Sequence, residues 1–338
     1  MLRKFINHKL ILFFFLLGCI SVFSQNDTLV LKNKDRLIGE IKKMENGVLT
    51  IETDYSDSDF KVTWLDVVYI SSSQYFLITI TDGERLNSFL KSEAGTNKVN
   101  LNGHVVEIKD IVYIKPVKTS FISRLDASLS FGLNFTKANN LKQLTVRSTL
   151  GYTANVWNLS GSFNSVRSNQ DNTEEIQRTD ANIQFKYFFK NDVFFVLISE
   201  FLSNDEQKLD LRMTNRAGVG KYFTHTNHLY FGGGAGLAWN NEKYTDPAVG
   251  SRNSVEGFLS VELNLFDVKD FSLLTNLTYY PSITEKNRHR LDYKLDLKYD
   301  LPLDFFIKLG VTYNFDNQPV EGASKDDYVF QATFGWEL

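Results

Sequence analysis

Leu291-Asp292-Tyr293-Lys294-Leu295-Asp296-Leu297-Lys298-Tyr299-Asp300 is the stretch whose reading decides the fold. Odd positions are apolar or aromatic and even positions are charged. Side chains of a strand alternate between its two faces, so this run, extended, has one apolar wall and one ionic wall. As a helix it would scatter its charges around the whole circumference. The next run repeats the pattern, with Leu303, Phe305, Ile307, Leu309 and Val311 opposite Asp304, Lys308 and Thr312. Far upstream, Leu125, Ala127, Leu129, Phe131, Leu133 and Phe135 share one face, and Arg124, Asp126, Ser128, Ser130, Gly132 and Asn134 share the other.

Twelve such segments follow one another, near 123–136, 142–154, 157–167, 178–190, 192–202, 209–223, 228–239, 254–266, 270–280, 289–300, 303–315 and 327–338. Most are long enough to cross an outer membrane when tilted, which takes about 9–11 residues. Strands of a soluble sandwich usually run about five or six residues. The connections alternate in length. Lys137–Leu141, Ser168–Gln177, Ser203–Lys208, Asn240–Asn253, Pro281–Arg288 and Asp316–Asp326 are the long ones; Asn155-Val156, Asn191, Thr224–Asn227, Asp267–Lys269 and Leu301-Pro302 are brief. Outer-membrane barrels have short periplasmic turns and longer outside loops, and an even strand number. The fold class expected is therefore all-β: an antiparallel transmembrane β-barrel of about twelve strands, with both its ends in the periplasm. The last strand alternates Tyr328, Phe330, Ala332, Phe334, Trp336 and Leu338, like the aromatic terminal strand by which barrel-assembly machinery recognises its substrates.

Composition agrees with long strands: 28 Phe, 15 Tyr and 4 Trp stand against only 5 Pro. Arg3 and Lys4 precede an apolar run from Leu10 to Val22 that ends at Ser24, the pattern of a cleaved export signal over residues 1–24. Cutting at Leu16-Leu17-Gly18-Cys19, to leave a lipidated Cys19, is the alternative. Cys19 is the only cysteine, which excludes an intrachain disulfide and thiolate metal sites. A net charge of -3 without a basic stripe gives no footprint for nucleic acid.

Residues 25–120 read as a separate periplasmic β-rich domain, and 121–338 as the barrel. The first domain holds an internal repeat. Asp35-Arg36-Leu37-Ile38-Gly39-Glu40-Ile41 aligns with Glu84-Arg85-Leu86-Asn87-Ser88-Phe89-Leu90, and Lys61 to Ile70 aligns with Val105 to Ile114. Asn46-Gly47 and Asn102-Gly103 are hairpin dipeptides, because both central residues of that turn need positive φ. Two related units of four or five short strands are expected.

Within the barrel region, Ser203 to Arg212 leads into Arg216-Ala217-Gly218-Val219-Gly220-Lys221-Tyr222, then Phe231-Gly232-Gly233-Gly234-Ala235-Gly236-Leu237 and Glu242-Lys243-Tyr244. These segments resemble the YdiY-like salt-induced outer-membrane protein family, also called the domain of unknown function 481 family. Leu129 to Asn140 resembles that family's opening strand and Gly-Asn turn, with Ala138 in place of the glycine. The resemblance covers roughly residues 123–338 and implies an outer-membrane location with no established activity and no catalytic residues.

Gly232 to Gly236 lacks the Lys-Ser/Thr and the helix of a phosphate loop and reads instead as close packing on a strand. A barrel-type esterase would set a Ser and an orienting Asn or Asp beside a His, and His104, His225, His228 and His289 have no nucleophile motif with them. His225 and His228 alone make no metal site. No catalysis and no cofactor are expected.

The candidate functional residues are the charges that alternation turns toward the lumen: Arg124, Asp126, Arg147, Asp180, Lys186, Glu200, Asp210, Arg212, Arg216, Glu256, Glu262, Lys294, Asp296 and Lys298. Paired, they brace a closed barrel; unpaired, they line a narrow polar pore. Two functions are carried forward. One is a structural or passive-pore protein surrounded by outer-membrane lipid. The other is a membrane-anchored binding protein whose periplasmic domain docks an envelope protein or polymer.

Overall fold

The computed structural model describes residues 27–93, 95–117, 124–137, 140–171, 176–205, 209–248, 250–268, 270–319 and 325–336. The export signal with Cys19 and both its cuts, Ala138, residues 206–208 and Leu338 lie outside them. The described residues are 77% strand with almost no helix, and form two sheets. No described helix is long and apolar enough to cross a membrane.

Residues 27–116 form nine strands: β1 (Asp27–Leu31), β2 (Arg36–Glu45), β3 (Val48–Glu52), β4 (Phe60–Thr63), β5 (Val67–Ile80), β6 (Arg85–Ser92), β7 (Lys98–Leu101), β8 (His104–Glu107) and β9 (Ile111–Pro116). Their order is β4-β3-β2-β1-β5-β6-β7-β8, with β9 bridging β2 and β5. The two halves make corresponding backbone bonds. Leu31 and Lys32 donate to Asp35 and Asp66, as Ile80 and Thr81 donate to Glu84 and Asp110. The long strand β5 ends the first half and begins the second. Asn46-Gly47 turns β2 into β3 and Asn102-Gly103 turns β7 into β8, all four residues with positive φ.

Alternation gives each short strand an apolar side. Those sides meet in one core with Leu29, Ile41, Trp64, Ile70, Phe76, Ile78, Leu90, Ile111 and Ile114 at or near zero exposure. Each such side chain contributes roughly 1.5–3 kcal/mol. Trp64 and Ile108, which begin corresponding single 3-10 turns, join the halves by a 2.8 Å bond from the indole Nε1–H to the Ile108 carbonyl. One charge is sunk among these strands. Asp27 accepts from the Ile41 amide at 2.8 Å and the Gln74 amide at 2.6 Å, and from the Ser72 hydroxyl. Burial outweighs those bonds and raises its pKa.

The second sheet is an antiparallel meander of twelve strands in chain order: β10 (Leu125–Thr136), β11 (Leu141–Thr153), β12 (Trp157–Asn169), β13 (Ile176–Phe188), β14 (Val193–Asn204), β15 (Leu209–His225), β16 (Leu229–Tyr244), β17 (Ser251–Val268), β18 (Phe271–Pro281), β19 (His289–Asp300), β20 (Phe305–Asp316) and β21 (Asp326–Trp336). β16 and β17 run further than the alternation indicated, which shortens the connection expected over Asn240–Asn253 to the residues between Tyr244 and Ser251. Among the described strands β10 and β21 each pair on one side only.

Residues paired across an antiparallel ladder share a face, so register carries one face through the whole sheet. Leu129, Phe131, Leu133 and Phe135 on β10 are 64–70% exposed. The same outer face continues through Leu150, Ile183, Leu197, Val219, Leu237, Leu259 and Phe334, all exposed. The opposite face is concave: Arg216 on β15 donates from Nη1 to the Tyr280 hydroxyl on β18, three strands away, at 3.1 Å.

The small domain sits against the short-turn end of this sheet. Asn227, in the β15–β16 turn, donates from Nδ2 to the carbonyls of Lys109 and Ile111 at 2.9 Å each. Arg85 lies 4.1 Å from the centroid of the Phe188 ring. Lys115 forms an ion pair with Asp126.

Candidate functional site: the polar concave face

Twelve of the fourteen candidate charges fall on the concave face by register, and Arg124 lies just before the first ladder pair of β10. Asp210 is the correction. The ladder slips between Leu209 and Leu211, so the bulge residue Asp210 is exposed while Leu209 is buried.

The charges on the concave face differ in their company. Arg216 donates to Glu200 across one strand pair at 2.6 Å, and Arg212 donates to Glu242 at 2.8 Å. Arg147, Asn164 and Asp180 form a chain across three strands, with 3.2 and 3.1 Å links. Lys298 forms a 2.8 Å ion pair with Asp300, and Glu262 accepts from Asn264. Asp126 is held by Lys115 from the small domain, beside Arg124, which comes just before β10. Lys294 and Asp296 stand on the inner face of β19, opposite Asn276 and Leu274.

The densest part of the face is at the long-loop end, and most of its members are residues that alternation had not singled out. Arg290 grips the fully buried Glu256 through two nitrogens, at 2.6 to 3.2 Å. Arg288, 1% exposed, reaches Asp316 at 2.6 Å, Glu285 at 2.6 Å and Glu242 at 3.5 Å. Arg252 donates to Glu285 at 2.7 Å and to the Gln318 carbonyl at 2.7 Å. Arg212, Arg252, Arg288 and Arg290 thus face Glu242, Glu256, Glu285 and Asp316, four charges against four. Burial alone would raise the Glu285 carboxyl in its loop, but hydrogen bonds from Arg252 and Arg288 outweigh it and hold the group below its ordinary range.

Between this rim and the short turns, aromatic rings approach glycines closely. A Cβ added at Gly218 would fall 2.5 Å from the Phe258 ring, and one at Gly220 would fall 2.5 Å from the Phe194 ring. Gly234 and Gly236 pair with them across the ladder. Within the run a Cβ at Gly236 would meet the Ala217 carbonyl and the Phe258 ring, and one at Gly234 the Val219 carbonyl, so the glycines make room for neighbouring backbone as well as for aromatic side chains.

The histidines are scattered. His225 shares a 3.0 Å hydrogen bond with Asp192, whose positive φ in the β13–β14 turn aims it there. His228 and His289 contact the Phe266 carbonyl and the Tyr279 hydroxyl. Among the described residues no group of three or more His, Cys, Asp or Glu is arranged to hold a metal.

An all-β chain, with a twelve-stranded antiparallel meander carrying an ionic inner face and a small β-domain set against its short-turn end, is the class these features define. Residues 129–337 match the family described as a protein of unknown function, DUF481, and the chain belongs to that family. The small domain lies outside the match. No curated protein matches the chain.

Proposed function

We propose that the protein is an outer-membrane β-barrel of structural or passive-pore type, without catalysis, its sheet closed by β10 meeting β21 and its small domain in the periplasm. The observation that carries this reading is the outer face. Monomeric soluble proteins rarely expose apolar patches beyond a few hundred Å², whereas here exposed Leu, Phe, Ile and Val run from β10 to β21. Lipid supplies the missing partner for that face. The edge strands run antiparallel in an even-numbered meander, so their unpaired edges can pair with each other. Paired charges at the long-loop end and the domain at the other keep the lumen narrow, fit at most for water, ions or small polar solutes.

Fractionation of cells and heat-dependent mobility on a gel test the location. Recovery in the soluble fraction, or a band that does not shift on boiling, overturns it. Conductance of the full chain in a planar bilayer tests the passive reading: small steps or none are expected, and large porin-like steps contradict the braced lumen.

A second reading, an anchored binding protein, has its own support in exposed aromatic pairs on the small domain, Tyr75 with Phe89 and Tyr55 with Phe60. Capture of one envelope protein or polymer that fails with Tyr75→Ser and Phe89→Ser is its test.

A further inference from the structure

Where the small domain meets the short-turn end, a partly open cavity of about 430 Å³ lies between them. Five cations and three carboxylates line it. The three carboxylates are engaged: Glu45 with Lys43, Asp126 with Lys115, and Asp192 with the ring of His225. Lys42 is held from outside the lining by Glu40 and Glu52. That leaves Arg85 and Lys186, neither with a carboxylate in ion-pair contact among the described residues.

These two cations are neighbours. Arg85 lies 4.1 Å over the ring of Phe188, and Lys186 lies 4.4 Å over the ring of Phe194. Phe188 and Phe194 are register partners with ring centroids 6.5 Å apart. The two faces come from different domains, so the pair exists only when the domain is docked. Arg85 Nε finds no hydrogen-bond partner, and neither does the buried Oδ1 of Asn158, which stands opposite Lys186 across the β12–β13 ladder. Lys186 donates to the Tyr222 hydroxyl at 3.2 Å. Burial pushes the Tyr113 hydroxyl up to about 12, so it stays a neutral donor on the cavity wall.

Cations over aromatic rings, with a spare guanidinium N–H, make a receptor for negative charge on a compact body. We propose that this chamber binds a small organic anion, a carboxylate or phosphate group on an aromatic or apolar frame, with Arg85 and Lys186 as its two anchors. The inference needs the domain docked, and does not need the barrel to conduct.

Calorimetric titration of the full-length chain in detergent micelles with phenyl phosphate, benzoate and inorganic phosphate tests it. One saturable site per chain is expected for the aromatic anions, with inorganic phosphate weaker. Arg85→Gln and Lys186→Met should each weaken binding about tenfold or more, the range for a hydrogen bond to a charged group. Arg85→Lys should lose less. Lys308→Met removes another ring-stacked cation, 4.3 Å over Phe306, that does not line the cavity, and it should leave binding unchanged. Arg85→Lys keeps the positive charge near Asp192 and the ring of Phe188, so unfolding temperatures measured for Arg85→Gln and Arg85→Lys alongside the titrations separate lost binding from lost folding. Failure of all three probes to bind overturns the proposal, as does equal affinity in parent, Arg85→Gln and Lys186→Met. Neither result touches the membrane reading, which fractionation decides.

Discussion

Replacing Glu256 with methionine keeps the volume of the side chain and removes its charge, so it isolates what the rim network does. Glu256 has no exposed surface and binds Arg290 through both of its oxygens. Among the described residues no other carboxylate is in ion-pair contact with Arg290, and Asp292, two positions along the same face, acts on it only from further off. Asp316, the register partner of Arg290, is occupied by Arg288 at 2.6 Å, and Glu242 is shared by Arg212 and Arg288. Since the network balances at four against four, Glu256→Met leaves one buried guanidinium uncompensated. Stranding a charge in this way costs about 3–5 kcal/mol. For a sheet of some 200 residues each kcal/mol moves the unfolding temperature by about 2–4 °C, so a drop of about 6–20 °C is expected. Far-ultraviolet circular dichroism in detergent micelles, at one fixed scan rate, reads it. Arg178→Ala is the comparison: the Arg178–Asp180 contact spans 3.8 Å with side chains 52% and 43% exposed, and its loss should cost about 1 kcal/mol or less. Adding Arg290→Met to Glu256→Met should restore most of the lost stability, because an apolar pair in place of a buried ion pair is often neutral. The reasoning is refuted if Glu256→Met melts with the parent, or if the double variant is less stable than the single one.

Gly218→Val should destabilise the sheet by about 1–3 kcal/mol, the range for overpacking, because its Cβ would meet the Phe258 ring and the Ala235 carbonyl; adding Phe258→Ala should relieve only the ring's share of the loss in the same melting assay. Asn227→Ala removes two donors to the Lys109 and Ile111 carbonyls and should loosen the domain from the sheet, read as faster amide exchange in β9 with the core of the sheet unchanged. Asp27 has its carboxyl raised above 3.8 by burial, so the folded domain favours the protonated form. Its stability should therefore fall as pH rises through the window above that value, and Asp27→Asn should flatten this slope in denaturant titrations between about pH 4 and pH 7. A variant with the parent's slope would assign the pH dependence elsewhere.

How far the fold could be read from the sequence depends on where polar residues lie along each strand. In the middle of β10 or β19, apolar residues alternate cleanly with polar or charged ones, because one face of the strand is apolar surface and the other is polar. There, alternation gave both the strand and its orientation. At the strand ends the outer face turns polar as well. Asn240-Asn241-Glu242-Lys243 therefore reads as a loop, although Glu242 is fully buried on β16 and takes two arginines. Arg290 could have been found by following the even positions one step back from Asp292. Asp210 could not. Leu209, Leu211 and Met213 keep the alternation intact, and only the slipped hydrogen bonding turns Asp210 outward.

The docked domain lies beyond periodicity altogether. Arg85 and Lys186 are 101 positions apart in the chain and meet because Phe188 and Phe194 bring their two rings together under the domain. Nothing in either strand's own pattern distinguishes them from solvated charges. What does distinguish them is that every acid around the cavity is already engaged, which becomes visible only when both domains are in place. A test of docking is therefore also a test of the chamber. If Asn227→Ala frees the domain, the two cations part, and binding of phenyl phosphate should fall with the loss of protection in β9. Loss of protection with undiminished binding would move the anion site off the domain junction.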